Sequence, residues 1–125
     1  MSYTAVVLNA EDQKKLINHF KELIPPQWKV YCHHMTTNLG KFEEGPVATS
    51  GFKLNDKVKI EVVSLAHDNL VIAVGVKCDV PSINAIKHIT IAVNEKNGGK
   101  PFLSNKLTNW QPTTPFILNG TIMEQ

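Results

Sequence analysis

Apolar and polar residues alternate along most of this chain in a way that predicts strands, with one helix near the beginning. An apolar, β-branched run at residues 3–8 suits a buried strand. Residues 16–24 then carry apolar side chains at helical spacing, and Asn9 is a suitable N-cap before them. Pro25-Pro26 ends this pattern, because proline disrupts a helix. The opening therefore predicts a strand followed by one amphipathic helix.

Two-residue periodicity in the rest of the chain predicts several further strands. A turn at 67–69 joins two of them as a hairpin, and residues 82–86 are compatible with one helical turn. The polar, proline-containing stretch 100–115 predicts a loop before the last strand. We therefore expect an α+β fold of mostly antiparallel strands. The predicted strands cover residues 28–37, 57–66, 70–76, 87–93 and 116–123, the last with a turn or bulge at Asn119-Gly120.

The size and composition of the chain are typical of one globular domain, over residues 1–125. With 125 residues, of which 42% are hydrophobic, the chain has enough apolar side chains for one core and too few for two. No apolar run reaches the length of a membrane span, and the N-terminus has no signal-peptide pattern. We therefore expect a cytoplasmic protein with no membrane partner and no obligatory protein partner.

The basic residues restrict how this protein can bind phosphate. All 13 of them are lysines, and the formal net charge is only +2. Without arginine the chain has no planar, bidentate clamp for a phosphate group. Any phosphate must therefore be held by lysines, histidines, hydroxyl groups or backbone amides.

The strands predicted at 28–37 and 87–93 each carry a His-x-Thr motif, His34-Met35-Thr36 and His88-Ile89-Thr90. Side chains two residues apart leave a strand from the same face, about 6.5–7 Å apart. Each motif therefore presents an imidazole and a hydroxyl on one surface. In the second strand the apolar side is Ile89, Ile91 and Val93, and the opposite side is His88, Thr90 and Ala92. In the first strand His34 and Thr36 share their side with Trp28, Val30 and Cys32.

Two such strands placed side by side would supply what phosphodiester cleavage needs. One group must take a proton from the attacking oxygen, and another must give a proton to the leaving oxygen. Histidine suits both roles near neutral pH, because its ordinary pKa of about 6.5 leaves both protonation states populated. The threonine hydroxyls can donate to non-bridging phosphate oxygens, and no metal or other cofactor is required.

The paired motifs, each on an apolar strand, resemble those of the two-histidine (2H) phosphoesterase superfamily. This superfamily includes 2′,3′-cyclic nucleotide phosphodiesterases, RNA 2′-5′ ligase-like enzymes, 2′-5′ oligoadenylate phosphodiesterases, and phage enzymes that degrade cyclic oligonucleotide signals. The resemblance implies a bilobal, pseudo-twofold fold whose central cleft is lined by both motifs. It also implies that His34 and His88 are the acid/base pair and that Thr36 and Thr90 bind phosphate.

The stretch after the second motif offers further candidates for substrate binding. Asn97-Gly98-Gly99 is a turn signal, and polar residues follow it. One interpretation is an ordinary surface turn. The other is a flap with exposed amides, a cation and side-chain donors for phosphate or base. In that interpretation the contacts come from Gly98, Gly99, Lys100 or Lys106, Ser104 and Asn105.

Zinc binding is a weaker interpretation of Cys32, His33, His34 and Cys78. Adjacent residues of a strand point to opposite faces, so His33 and His34 cannot easily share one ion, and no typical zinc-ligand spacing occurs. We expect His33 to be a core histidine on the face opposite His34. The two cysteines are too few for a disulfide framework, and we expect free thiols.

These patterns favour a metal-independent phosphodiesterase that acts on RNA ends or small nucleotides, at a 2′,3′-cyclic phosphate or a 2′-5′ linkage. A nucleotide or RNA end is then the expected substrate. Two alternatives remain: a phage-type nuclease that degrades cyclic oligonucleotide defence signals, and a non-catalytic module that binds nucleotides or RNA. The motif spacing does not distinguish the acid from the base.

Overall fold

One antiparallel sheet organises residues 2–125, which are the residues described by the computed structural model. Its seven strands are β1 (Tyr3–Leu8), β2 (Lys29–Val30), β3 (His34–Leu39), β4 (Lys57–His67), β5 (Val71–Lys77), β6 (His88–Val93) and β7 (Gln111–Glu124). Their order across the sheet is β2-β6-β5-β4-β7-β1-β3. One α-helix, α1 (Ala10–Phe20), follows β1 within the described part of the chain. The expected α+β fold with mostly antiparallel strands is confirmed.

Helix α1 packs on the core face of the sheet and contacts β7. The side-chain oxygen of Asn9 accepts a 2.8 Å hydrogen bond from the N–H of Asp12, which stabilises the start of the helix. Leu16 and Phe20 are buried in the main core. The helix ends at Phe20 and Leu23 is 54% exposed, so the predicted helix is about one turn too long. No helix within residues 2–125 has both the length and the apolar character needed to cross a membrane.

A single crossing segment joins the two ends of the sheet. The N–H groups of Tyr31 and Cys32 donate to carbonyls of β6, over 2.8 and 3.0 Å. The carbonyl of His33 then accepts a 2.9 Å hydrogen bond from Leu8 in β1, and β3 continues along β1. Residues 31–33 therefore pass directly from the side of β6 to the side of β1. This crossing brings β3 beside β6, although the two strands lie near opposite ends of the strand order.

The predicted strand at 28–37 is interrupted at Cys32. Its φ of 47° is left-handed, a conformation that a regular strand does not contain. The alternation of faces therefore restarts after Cys32, whose side chain is fully buried, while His33 and His34 are both partly exposed. For this reason the predicted grouping of Cys32 with His34 and the assignment of His33 to the core are wrong.

The alternation of faces also changes at the end of β6. A bulge interrupts the register with β5 there. Ala92 joins Ile89 and Ile91 in the main core, whereas Val93 packs in a second cluster. The predicted faces are therefore consistent with the packing of Ile89 and Ile91 and wrong for Ala92 and Val93.

The hairpin of β4 and β5 is confirmed, with its turn at residues 68–70, one residue later than predicted. A carboxylate oxygen of Asp68 accepts hydrogen bonds from the N–H groups of Leu70 and Val71, at 2.8 and 3.0 Å. An aspartate that binds the backbone two and three residues ahead is typical of tight turns.

The predicted loop at 100–115 is too long. Pro101–Lys106 forms a 3-10 helix, and β7 begins at Gln111 because Gln111 and Pro112 pair with β4 beyond an irregularity in its register. The strand also passes through Asn119-Gly120 without a turn or bulge. Residues 82–86 contain bends rather than the predicted helical turn.

Candidate active site

A pocket of about 440 Å³ lies where β3 and β6 come together. His34 and Thr36 line it from β3, and His88 and Thr90 line it from β6. The structure therefore brings all four motif side chains to one cavity. Tyr3, Tyr31, His33, Asn84 and Asn105 also line it, and Leu39, Ile83 and Phe102 form an apolar rim.

The pairing of β3 with β1 sets the direction of the first motif. His34 lies opposite Val7 and Thr36 opposite Ala5, so these residues share one face of the sheet. Met35 lies on the other face and is fully buried in the core. The Tyr3 ring lies 4.9 Å from the His34 ring, centroid to centroid, and forms part of the same wall.

The imidazoles of His33 and His34 contact each other through their Nδ1 atoms, which lie 3.0 Å apart. One of these nitrogens must carry a proton and donate it to the other. For His34, this contact leaves Nε2 as the ring nitrogen available to a substrate. Burial, followed by the charges of His33 and His88, lowers the pKa of His34 to about 4, so the ring is neutral at neutral pH.

The second histidine is held by its own strand. His88 is 9% exposed, and its Nδ1 donates a 2.8 Å hydrogen bond to the carbonyl of Ile86. Burial lowers the pKa of His88, whereas the Ile86 carbonyl raises it by stabilising the protonated ring. As in His34, Nδ1 is occupied and Nε2 remains for a substrate.

A buried serine positions the second threonine. The hydroxyls of Thr90 and Ser104 lie 2.9 Å apart, and Ser104 is 1% exposed. Ser104, expected to contact substrate, is instead a hydrogen-bond partner of Thr90, because the 3-10 helix Pro101–Lys106 packs beside β6. It thereby orients a hydroxyl that lines the pocket.

The glycine turn after β6 does not present free amides. The N–H of Gly98 donates to the Glu95 carbonyl over 3.1 Å, and the N–H of Gly99 donates to the Asn94 carbonyl over 2.9 Å. Gly98, Gly99 and Lys100 are not among the residues that line the pocket. The turn itself is confirmed, but its amides are used within it. Of the candidates between residues 98 and 105, Asn105 lines the pocket directly.

Several residues of the pocket are absent from the predicted site. His33 lies on the wall because the backbone turns at Cys32. Phe102 is 57% exposed at the rim. A lone aromatic residue in a polar stretch is the sequence signal for it, but only the folded chain shows that it borders the two histidines.

Neither cysteine forms a disulfide, as predicted. Cys32 is buried, which raises the pKa of its thiol to about 12, and Cys78 is partly buried. Within residues 2–125, no three side chains among the histidines, cysteines and carboxylates converge as metal ligands do.

A comparison with known protein families finds a match. The family model for the fungal tRNA ligase phosphodiesterase domain matches residues 13–118, which is most of the chain. No curated protein and no solved structure matches this chain. The predicted resemblance to two-histidine phosphoesterases is thereby confirmed. The chain belongs to the family of fungal tRNA ligase phosphodiesterase domains, and it is a phosphodiesterase.

Proposed function

We propose that this protein hydrolyses a 2′,3′-cyclic phosphate at the end of an RNA, with His34 and His88 as its acid/base pair and without a metal ion. The observation that carries the proposal is the convergence of both histidines and both threonines on one pocket. The description of the family as a domain of tRNA ligases favours an RNA end over a free nucleotide. A 2′-5′ linkage is the alternative substrate.

The strand order supports two lobes related by a pseudo-twofold axis. One half runs β6-β5-β4 and the other runs β3-β1-β7, and the long strands β4 and β7 pair with each other between them. In each half the strand that carries a His-x-Thr motif, β6 or β3, pairs with a short strand, β5 or β1. That short strand pairs with a long one, β4 or β7. The pocket then lies in the cleft between the lobes.

The surroundings of the two histidines favour His34 as the base. A base must be neutral before the reaction, and burial, the largest cause of the lowered pKa of His34, keeps this ring neutral. In this assignment His34 donates its Nδ1 proton to His33 and keeps the lone pair of Nε2 for catalysis. His88 is then the acid. Burial lowers its pKa, but its Nδ1–H donates to the Ile86 carbonyl, a contact that opposes this shift and leaves Nε2 to give a proton to the leaving oxygen.

The proposed step is one displacement at phosphorus. His34 takes a proton from a water molecule as the water oxygen bonds to phosphorus. The bond from phosphorus to one ribose oxygen breaks, and His88 gives its Nε2 proton to that oxygen. The products are a phosphomonoester and a free ribose hydroxyl. The hydroxyls of Thr36 and Thr90 donate to the non-bridging oxygens, in place of the absent arginines.

A panel of substrates in EDTA tests the proposal. It comprises an oligoribonucleotide ending in a 2′,3′-cyclic phosphate, 2′,3′-cyclic mononucleotides, 2′-5′ oligoadenylate, and cyclic di- and trinucleotides. We expect turnover of the cyclic phosphates. Loss of activity in EDTA, or turnover of cyclic oligonucleotides alone, would refute it.

Substitution of each histidine tests the assignment of the pair. His34→Ala and His88→Ala should each lower kcat by roughly 10²–10⁴-fold, the usual contribution of one acid or base. Circular dichroism should report an unchanged fold. His67→Ala is the matched control, because His67 is exposed at the end of β4 and does not line the pocket. Full activity in either site variant would rule out the pair.

A further inference from the structure

A row of side chains leads away from the pocket across four adjacent strands. His34 of β3 lies opposite Val7 of β1, Val7 opposite Thr121 of β7, and Thr121 opposite Lys57 of β4. Cross-strand partners point to the same face, so all four side chains lie on the face that carries His34. The next row, from Met35 through Val6 to Ile122, lies on the opposite, buried face.

The far end of this row is basic and grooved. Lys59 lies two residues after Lys57, on the same face and opposite Asn119. Both lysines are exposed, and with Asn119 and Thr121 they line a groove of about 360 Å³. Three interstrand spacings separate His34 from Lys57, about 14 Å in all. A mononucleotide bound at His34 cannot span that distance, whereas a short oligonucleotide can.

The surface between the pocket and the lysines is small and apolar. Val7 is partly exposed in the row itself. In the neighbouring row Ala5 is fully buried, and its partner Met123 is 37% exposed. An apolar surface of this kind suits the ribose and base of a nucleotide. Phosphate recognition then falls to Lys57 and Lys59 beyond this surface.

Two of the nearby carboxylates accept hydrogen bonds from other residues. Asp12 accepts hydrogen bonds from the backbone N–H and the side-chain amide of Asn119. Glu124 accepts one from the N–H of Phe42. Glu61 lies on the same face as the lysines but farther along β4, opposite Ile117. The two exposed lysines that line the groove favour an anionic ligand.

We propose that this face is the path of the RNA strand on the 5′ side of the reacting end, with Lys57 and Lys59 bound to its phosphates. The proposal rests on the proposed function and specifies its substrate as an oligoribonucleotide rather than a mononucleotide. A 2′,3′-cyclic phosphate occupies the 3′ end of an RNA, so the rest of the strand must leave the pocket in one direction. Because the chain has no arginine, lysines must neutralise its phosphates.

The test compares two substrates in three proteins. The substrates are an oligoribonucleotide with a terminal 2′,3′-cyclic phosphate and the matching 2′,3′-cyclic mononucleotide. The proteins are the wild type, Lys57→Ala/Lys59→Ala, and Lys14→Ala/Lys21→Ala. The second double variant removes the same amount of charge outside the groove. Lys14 lies in α1 and Lys21 directly follows it, and both side chains are exposed. It therefore controls for a general effect of net charge.

We expect the ratio of kcat/KM for the oligonucleotide to that for the mononucleotide to fall roughly tenfold in Lys57→Ala/Lys59→Ala. The slope of log KM against log salt concentration should become shallower by about 1.4, or about 0.7 for each phosphate contact with a single strand. An unchanged ratio, or an equal fall in the control variant, would overturn the proposal.

A binding measurement separates this proposal from the proposed function. The affinity for the oligoribonucleotide with a terminal phosphate, measured by fluorescence anisotropy, does not require catalysis. A roughly tenfold weaker binding in the groove variant alone supports the RNA path even if the wild type cleaves neither substrate. Equal affinities in the three proteins contradict the path, whether or not the mononucleotide is hydrolysed.

Discussion

The Nδ1 atoms of His33 and His34 lie 3.0 Å apart, so these neighbouring imidazoles hold a proton between them. Sequence neighbours in a regular strand would point to opposite faces. The left-handed turn at Cys32 removes that constraint just before the pair and places both rings on the pocket wall. In our assignment His33 accepts the Nδ1 proton of His34, which fixes the tautomer of the base.

His33→Ala should move the acidic limb of the kcat/KM profile to higher pH. His34 must be neutral to act as the base, and the charge of His33 is one of the causes that lower its pKa. Removal of that charge raises the pKa of His34, so its neutral form is lost at a higher pH. The lost hydrogen bond should also lower kcat by roughly tenfold. The measurement is a pH–rate series in the range where circular dichroism is constant.

His33→Asn distinguishes the two effects of His33. The asparagine amide can accept the Nδ1 proton of His34 but carries no charge. We expect kcat to recover toward the wild-type value, while the acidic limb stays at higher pH. Identical profiles in the wild type and both variants would contradict a positioning role for His33.

The protein should lose stability in mildly acidic solution. The folded pKa of His34 is about 4 and lies below its unfolded value of 6.5, so the unfolded chain binds more protons between these values. The stabilisation is complete above pH 6.5 and is lost as the pH falls toward about 4. Over the full interval it amounts to about 3.5 kcal/mol, at about 1.4 kcal/mol per pKa unit. His88, whose pKa is also lowered, acts in the same direction.

Urea denaturation at about pH 7.5 and about pH 5 checks this dependence. The wild type should lose roughly 2 kcal/mol more than His34→Gln over that interval, because glutamine does not titrate. An equal loss in the two proteins would show that His34 does not link folding to protonation.

Phe102→Ala should weaken substrate binding more than turnover. Phe102 is 57% exposed at the rim of the pocket, where a base can stack on its ring. Stacking of a base on an aromatic side chain contributes about 1–3 kcal/mol, so KM should rise roughly tenfold with kcat little changed. Phe102→Trp should restore the wild-type KM. Leu23→Ala, at an apolar residue that is 54% exposed outside the pocket, should have no effect.

Gly99→Ala should destabilise the fold, whereas Lys100→Ala should change little. A Cβ on Gly99 would lie 2.6 Å from the Leu70 carbonyl oxygen and 2.7 Å from that of Asn94, and both are backbone atoms. We expect a loss of roughly 2 kcal/mol or more in the free energy of unfolding. Thermal melting measures it. A large rise in KM on Lys100→Ala would instead favour the flap interpretation of this turn.

Local patterns predicted much of the fold because their causes are local. Asn9 caps the first helix through a neighbour three residues ahead. Asp68 closes the β4–β5 turn in the same way. The faces of β6 up to Ile91 follow from strand alternation alone. Where the backbone departs from the regular strand, at Cys32 and in the bulge of β6, alternation fails and the predictions fail with it.

The loop candidates show the limit of local reasoning about the site. Gly98 and Gly99 form the predicted turn, but whether their amides are free depends on carbonyls that the turn itself supplies. Ser104 was a candidate for substrate contact, and it contacts Thr90 because a 3-10 helix packs on β6. Such contacts join residues of different elements, and spacing along the chain carries no information on them.

The sequence by itself determined the two His-x-Thr motifs, the strands that carry them and the absence of arginine, since each follows from local periodicity or composition. The tertiary structure decided that His34 and His88 line one pocket, that His33 contacts His34, and that Lys57 lies in the same row as His34. The physical reason is that strand register and the crossing from β6 to β1 depend on packing across the whole sheet. Periodicity within one strand determines which way a side chain points, but only the partners of that strand determine what it meets.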